Sequence, residues 1–215
     1  NFFGLHADAD GSIERRFAGV LIGGTMDVRL ENPGGLTGVW AEENTRASLW
    51  DAMYRKETFG VSGPRIKVRL FGGWGYGNDI VKAGDWVKQA YAGGVPMGGD
   101  LPPLPAGGKG TAPKFVVWAV KDPTSGNLDR IQVVKGWTQN GQSFEKVFDV
   151  AWAGDRKADK WSGRVPAIQN TVDLEKATYT NSVGSAELKT LWTDPEFDER
   201  QHAFYYARVL EIPTP

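Results

Sequence analysis

At 215 residues the chain is long enough to bury a sizeable core, as one large or two small domains. A net charge of −1 argues against bulk attraction to nucleic acid or anionic membrane, no apolar run reaches transmembrane length, and the absence of cysteine removes disulfides and thiolate chemistry. With 28 Gly, 12 Pro and nine Trp, the composition favours many turns and aromatic-rich strands, which leans to a mostly β fold.

The first residue is Asn1, and Asn1-Phe2-Phe3-Gly4 has neither a basic region nor an apolar run, so it is no signal peptide. The chain reads as the C-terminal part of a larger protein. Residues 1–35 look irregular, with Ser12 able to cap a short helix through Phe17. A short buried strand is expected over 36–41, followed by Glu42 and Glu43. Asn44 or Thr45 can cap a helix that runs to about Lys56, with Leu49, Trp50, Met53 and Tyr54 on one apolar face. Strand, loop and helix in this order are an α/β signature.

After Gly63-Pro64 the pattern changes. Residues 65–71 alternate polar and apolar, as a half-buried strand does. Residues 92–113 hold too much Gly and Pro for a regular element. Strands are expected over 114–121, 128–137 and 144–152. Asn140-Gly141 sits between the last two and tolerates the positive φ of a tight hairpin. Residues 153–185 read as a polar loop, and strands at 186–192 and 203–212 close the set. The expected architecture is an antiparallel β-sandwich over 65–215, preceded over 1–64 by the tail of an α/β domain.

Few residues here announce chemistry. His6 begins a segment in which Asp8, Asp10 and Gly11 match a calcium-loop spacing, but Phe17 stands where the bidentate glutamate belongs, so the cage fails and an Asx-rich turn is the better reading. Gly107-Gly108-Lys109-Gly110-Thr111 and Gly72-Gly73-Trp74-Gly75-Tyr76-Gly77 miss the phosphate-loop and dinucleotide fingerprints and read as flexible loops. The two histidines, His6 and His202, form no metal-spaced cluster by themselves, and His202 reads as a surface residue. Glu42 and Glu43 stand where a strand meets the loop before a helix. In α/β barrels that end of the strand faces the active site, although acidic residues also favour a helix N-terminus for its dipole alone. Arg46 and Arg65 are candidates to bind an anionic group in the same place. Trp118, Trp137, Trp152, Tyr205 and Tyr206 lie on expected strands and read as core, or as a sugar-stacking platform if they share an exposed face.

Several long motifs carry a resemblance. Gly35-Leu36-Thr37-Gly38-Val39-Trp40-Ala41-Glu42-Glu43-Asn44-Thr45-Arg46, Arg55-Lys56-Glu57-Thr58, Ser62-Gly63-Pro64-Arg65-Ile66 and Phe71-Gly72-Gly73-Trp74 resemble domain-of-unknown-function family 3604. So do Gly94-Val95-Pro96-Met97-Gly98-Gly99-Asp100-Leu101, the stretch 127–137 and the closing 203–215. The resemblance implies a larger, often exported or periplasmic bacterial protein. Its N-terminal part would resemble the PHP (polymerase and histidinol phosphatase) metal-dependent hydrolases, a distorted barrel with a His/Asp/Glu metal site. It also implies that the last metal motif of relatives lies just upstream of Asn1, and that relatives continue past Pro215.

On this basis the chain is expected to be the C-terminal portion of a PHP-like metal-dependent hydrolase, a phosphoesterase, whose N-terminal portion is its partner. The intact protein is expected to use a divalent metal, zinc, manganese or iron, with principal ligands outside this chain; none is expected for the chain alone, which is not expected to be catalytic by itself. Glu42, Glu43 and Arg46 are expected in supporting catalytic roles, Arg65 in substrate binding, and His6 as a further metal ligand. The rival expectations are a glycan- or protein-binding sandwich module, or a purely structural domain.

Overall fold

The computed structural model describes residues 35–108 and 110–215; the calcium-like loop, the helix after Ser12 and His6 lie outside them. The first unit is small. Strand β1 (Leu36–Val39) pairs antiparallel with β2 (Thr58–Val61), and helix α1 (Arg46–Tyr54) lies between them in sequence. Thr45 is the cap: its hydroxyl accepts the Ser48 N–H at 3.3 Å. The far end closes as a Schellman motif, in which Lys56 N–H donates to Met53 O at 2.9 Å and Glu57 N–H to Ala52 O at 3.0 Å. Lys56 stands at φ 61°, in the left-handed region where glycine is usual.

The helix does not turn its apolar face inward. Ala52 is its buried residue, whereas Trp50, Met53 and Tyr54 are exposed, and so is Leu36 on β1. Nothing among the described residues covers this face. The expected buried strand over 36–41 is therefore only half-buried, and its sole strand partner among the described residues is β2.

The rest is mostly β and antiparallel. β3 (Lys67–Gly73), β4 (Val95–Pro96), β5 (Lys114–Val120) and β8 (Glu187–Thr193) form one sheet in the order β4-β3-β5-β8. β6 (Leu128–Gln139), β7 (Gln142–Trp152) and β9 (His202–Glu211) form a second, in the order β7-β6-β9. The β6–β7 turn is the expected one: Asn140 and Gly141 adopt φ of 52° and 74°, the positive pair that matches strand twist in a two-residue hairpin.

The two sheets meet face to face. Leu70, Phe115, Val117 and Ala119 from the first pack against Leu128, Ile131 and Val133 from the second. Period two puts the intervening residues Phe71 and Val116 on the other face of the first sheet, where they pack against Tyr76, Ile80 and Ala90. That cover comes from a 3₁₀ turn (Ile80–Lys82) and helix α2 (Trp86–Gly93), which the sequence reading did not anticipate. It explains why β5 is a near-continuous apolar run rather than an alternating one. Gly72 and Gly73, expected in a flexible loop, are buried residues of β3.

Candidate functional site

The small unit and the sandwich meet along a cleft of about 530 Å³, lined by Trp40, Ala41, Glu42, Arg55, Glu57, Arg69, Tyr91 and Pro96. That volume is in the range of small-molecule sites. Each wall has a local cause. The Schellman turn at Lys56 redirects the chain after α1 and sets Glu57 immediately before β2, where its carbonyl accepts the Trp40 N–H at 3.0 Å. The opposite wall runs from Arg69 on β3 to Tyr91 on α2 and Pro96 on β4. Gly98 fixes the loop after β4 at φ +85°, and a Cβ there would stand 2.4 Å from the Lys56 carbonyl oxygen, so the loop can lie against the end of α1 only with glycine at this position.

Glu57 lies at the bottom, 2% exposed. The Tyr91 hydroxyl donates to its Oε1. Arg69 Nη1 in turn donates to the Tyr91 oxygen at 3.2 Å and stands 4.0 Å from Glu57 Oε1, while Arg55 Nη2 stands 3.5 Å from Oε2. Burial pushes the Tyr91 hydroxyl above its ordinary pKa, and the hydrogen bond to Glu57 pushes the same way. The Arg69 guanidinium lies over the Trp40 ring, 3.7 Å from its centroid, a cation–π contact. The Trp40 ring is itself fixed, because its Nε1 donates to Val68 O at 2.9 Å. This bond and the Arg69–Glu57 pair both cross the expected boundary at Pro64.

The five sequence candidates separate. Glu42 lines the cleft at its exposed rim. Glu43 is exposed two residues before the cap, and its N–H donates to Ser48 Oγ at 3.1 Å. Arg46 is exposed on the first residue of α1. Arg65 lines a different hollow, with Leu36, Phe59 and Lys67, and its N–H donates to Asp122 Oδ2 at 2.7 Å. His6 lies outside the described residues. Of the five, then, the cleft holds Glu42 alone. It is built instead from Arg55, Glu57, Arg69, Tyr91 and Trp40, none singled out by chemical spacing, although Trp40, Arg55 and Glu57 fall in the family-like motifs.

Of the strand aromatics, Trp118, Trp137, Trp152 and Tyr205 are half-buried, whereas Tyr206 is exposed and stacks on the exposed Phe204 with ring centroids 6.4 Å apart. Trp118 and Trp152 spend their Nε1 protons on Glu187 Oε1 at 2.6 Å and Arg156 O at 2.7 Å. Among the described residues no group of three or more His, Cys, Asp or Glu is arranged to hold a metal ion. No described helix is long and apolar enough to cross a membrane.

A mostly antiparallel β domain with a small strand–helix–strand unit folded against it, and an arginine-lined cleft between the two, is what fold and site define. The chain belongs to the DUF3604 family, described as a protein of unknown function, whose profile matches residues 1–215. No curated protein and no solved structure matches the chain.

Proposed function

We propose that the chain is the C-terminal portion of a PHP-like metal-dependent hydrolase, a phosphoesterase of exported or periplasmic type. In this reading residues 1–64 complete the hydrolase barrel and residues 65–215 form the sandwich that supports it. The observation that carries the reading is the cleft, where residues of the family-like strand–helix segment (Trp40, Glu42, Arg55 and Glu57) meet Arg69 and Tyr91 of the sandwich. The exposed face of Trp50, Met53 and Tyr54 supports it too, as the surface against which the N-terminal portion would pack.

The described residues do not themselves fit a metal centre, so zinc, manganese or iron would be held by ligands outside them, and no step is assigned to a metal here. What these residues can supply is binding and orientation. Arg55 and Arg69 present guanidinium donors suited to a phosphoryl oxygen. Glu57 and Tyr91 hold those arginines in place, and Glu42 stands at the rim.

The test compares the 215-residue chain with the longer protein that includes the N-terminal portion, on a chromogenic phosphoester with added divalent metals. The longer protein hydrolyses it and loses activity to a chelator; the chain alone does not. Hydrolysis by the chain alone, surviving Glu42→Ala and Glu43→Ala, would sink the assignment.

A further inference from the structure

We propose that Arg55 and Arg69, braced by Glu57 and Tyr91, form an oxyanion-binding site that takes the phosphate or carboxylate group of a small ligand. The first ground is charge. The cleft is lined by the guanidinium groups of Arg55 and Arg69 and by the carboxylates of Glu57 and Glu42, and of these two acids only Glu57 is paired with the arginines, Glu42 being exposed. An anion would complete the pairing that Glu57 alone leaves partial, most strongly at Arg69, the less exposed of the two arginines.

The second ground is unspent donors. A guanidinium has five N–H groups in a planar fork. Among the described residues Arg55 pairs only with Glu57, at 3.5 Å, and its side chain is 50% exposed. Arg69 spends one nitrogen on Tyr91, while its flat face is taken by Trp40. The rest of both forks is left for a ligand or solvent.

The third ground is preorganisation. Holding a long cationic side chain in place before the ligand arrives lowers the entropy lost on binding. Arg69 is held on three sides, by the Trp40 ring, the Tyr91 hydroxyl and the Glu57 carboxylate, and its side chain is 16% exposed. Arg55 is held on one. Arg69 is thus the fixed half of the pair and Arg55 the mobile half that closes on the anion. Glu57 is a positioning residue: it is too buried to meet the ligand, and it acts through the two arginines.

That the anion is a substrate phosphate rests on the hydrolase reading; that an oxyanion binds rests on the cleft alone. The 215-residue chain is titrated with inorganic phosphate and, separately, with acetate, by calorimetry at low ionic strength. Saturable binding at millimolar concentration or tighter is expected, weakened about tenfold or more by Arg55→Gln and by Arg69→Met, as for the loss of a charge-assisted contact. Arg69→Lys, which keeps the charge but loses the fork, covers the case in which Arg69→Met unfolds, and weakens phosphate too. Lys157→Gln, an exposed charge control, leaves binding unchanged. No saturable heat with either anion, or affinity untouched by the folded Arg55 and Arg69 variants, overturns the site. Acetate bound in preference to phosphate keeps the oxyanion site and overturns its phosphate assignment. Phosphate binding without hydrolysis by the longer protein defeats the hydrolase reading alone, and hydrolysis indifferent to both arginine variants defeats the site alone.

Discussion

Lys135 and Arg69 stand in two clusters with the same ingredients, a cation, a carboxylate and a tyrosine, but the cluster of Arg69 also holds the half-exposed Arg55 and so opens to solvent. Lys135 is sealed between the sheets at 2% exposure; its Nζ donates to Asp194 Oδ2 at 2.8 Å and to Glu196 O at 2.7 Å. Asp194 also accepts the Tyr205 hydroxyl at 2.7 Å and the Glu196 N–H at 2.8 Å. Burial, then the bond to Asp194, pushes the Tyr205 hydroxyl far above its ordinary pKa. Every member is engaged within the protein, so this cluster fixes the segment after β8 against β6 and β9 and offers a ligand nothing. The cleft cluster differs in one respect: its carboxylate is sealed, but one of its two cations, Arg55, is half exposed. A buried acid with an open cation holds donors in position for something else, and that contrast separates a structural ion pair from a candidate binding site.

The largest break in the comparison is Lys135→Met. It strands Asp194 without a counter-charge in the interior, and loss of one partner of a buried pair costs about 3–5 kcal/mol. Urea unfolding should show this drop, with phosphate binding retained wherever the variant stays folded. Glu57→Ala should cost less, about 1–3 kcal/mol, since the unpaired Tyr91 and Arg55 can still turn to water. Here the binding readout should move as well: with Arg55 and Arg69 no longer braced, phosphate affinity falls. If Glu57→Ala destabilises the chain as much as Lys135→Met and leaves phosphate affinity alone, the two clusters are of one structural kind.

The sandwich was legible in the sequence because β3 carries period-two alternation, β5 is a short apolar run and the β6–β7 hairpin carries Asn140-Gly141. The strand limits over 114–121, 128–137 and 144–152 lie within about two residues of β5, β6 and β7, the margin expected at element ends. Helix α2 was not legible. It is short, it follows a Gly-rich stretch, and its buried Ala90 and half-buried Trp86 and Val87 pack on the face of β3 and β5 opposite the sandwich core. The reversed face of α1 was equally hidden, because periodicity shows which residues share a face and not which way it points. The site was legible only at Glu42. Arg69 reads as one more polar residue in the alternation of β3, and nothing local shows that Trp40, 29 positions earlier, lies beneath its guanidinium. Arg65, two steps of the alternation away, was the expected substrate-binding arginine, yet it lines a separate hollow.

The smallest expected effect tests a third carboxylate at the seam between the small unit and the sandwich. Asp122 accepts the Arg65 N–H at 2.7 Å, and the N–H and hydroxyl of Thr124 at 2.8 Å each. These bonds, the one from Arg65 first, hold its carboxyl down at about 2, from an ordinary 3.8. A carboxylate whose folded pKa is lowered stabilises the fold above its unfolded pKa and loses that contribution as pH falls through the folded one. The thermal midpoint should therefore decline between about pH 4 and pH 2. Asp198, held down at about 2 by Arg200, adds to the same decline, so Asp122→Asn should shrink it without abolishing it. Phosphate binding at neutral pH should be unchanged, because Asp122 anchors Arg65 and not the Arg55–Arg69 pair. An equally steep acid decline in Asp122→Asn would remove Asp122 from the seam's stability. A loss of phosphate affinity in that variant would mean that the cleft depends on the strap at Arg65, and the division between sealed and open clusters would have to include the seam as a whole.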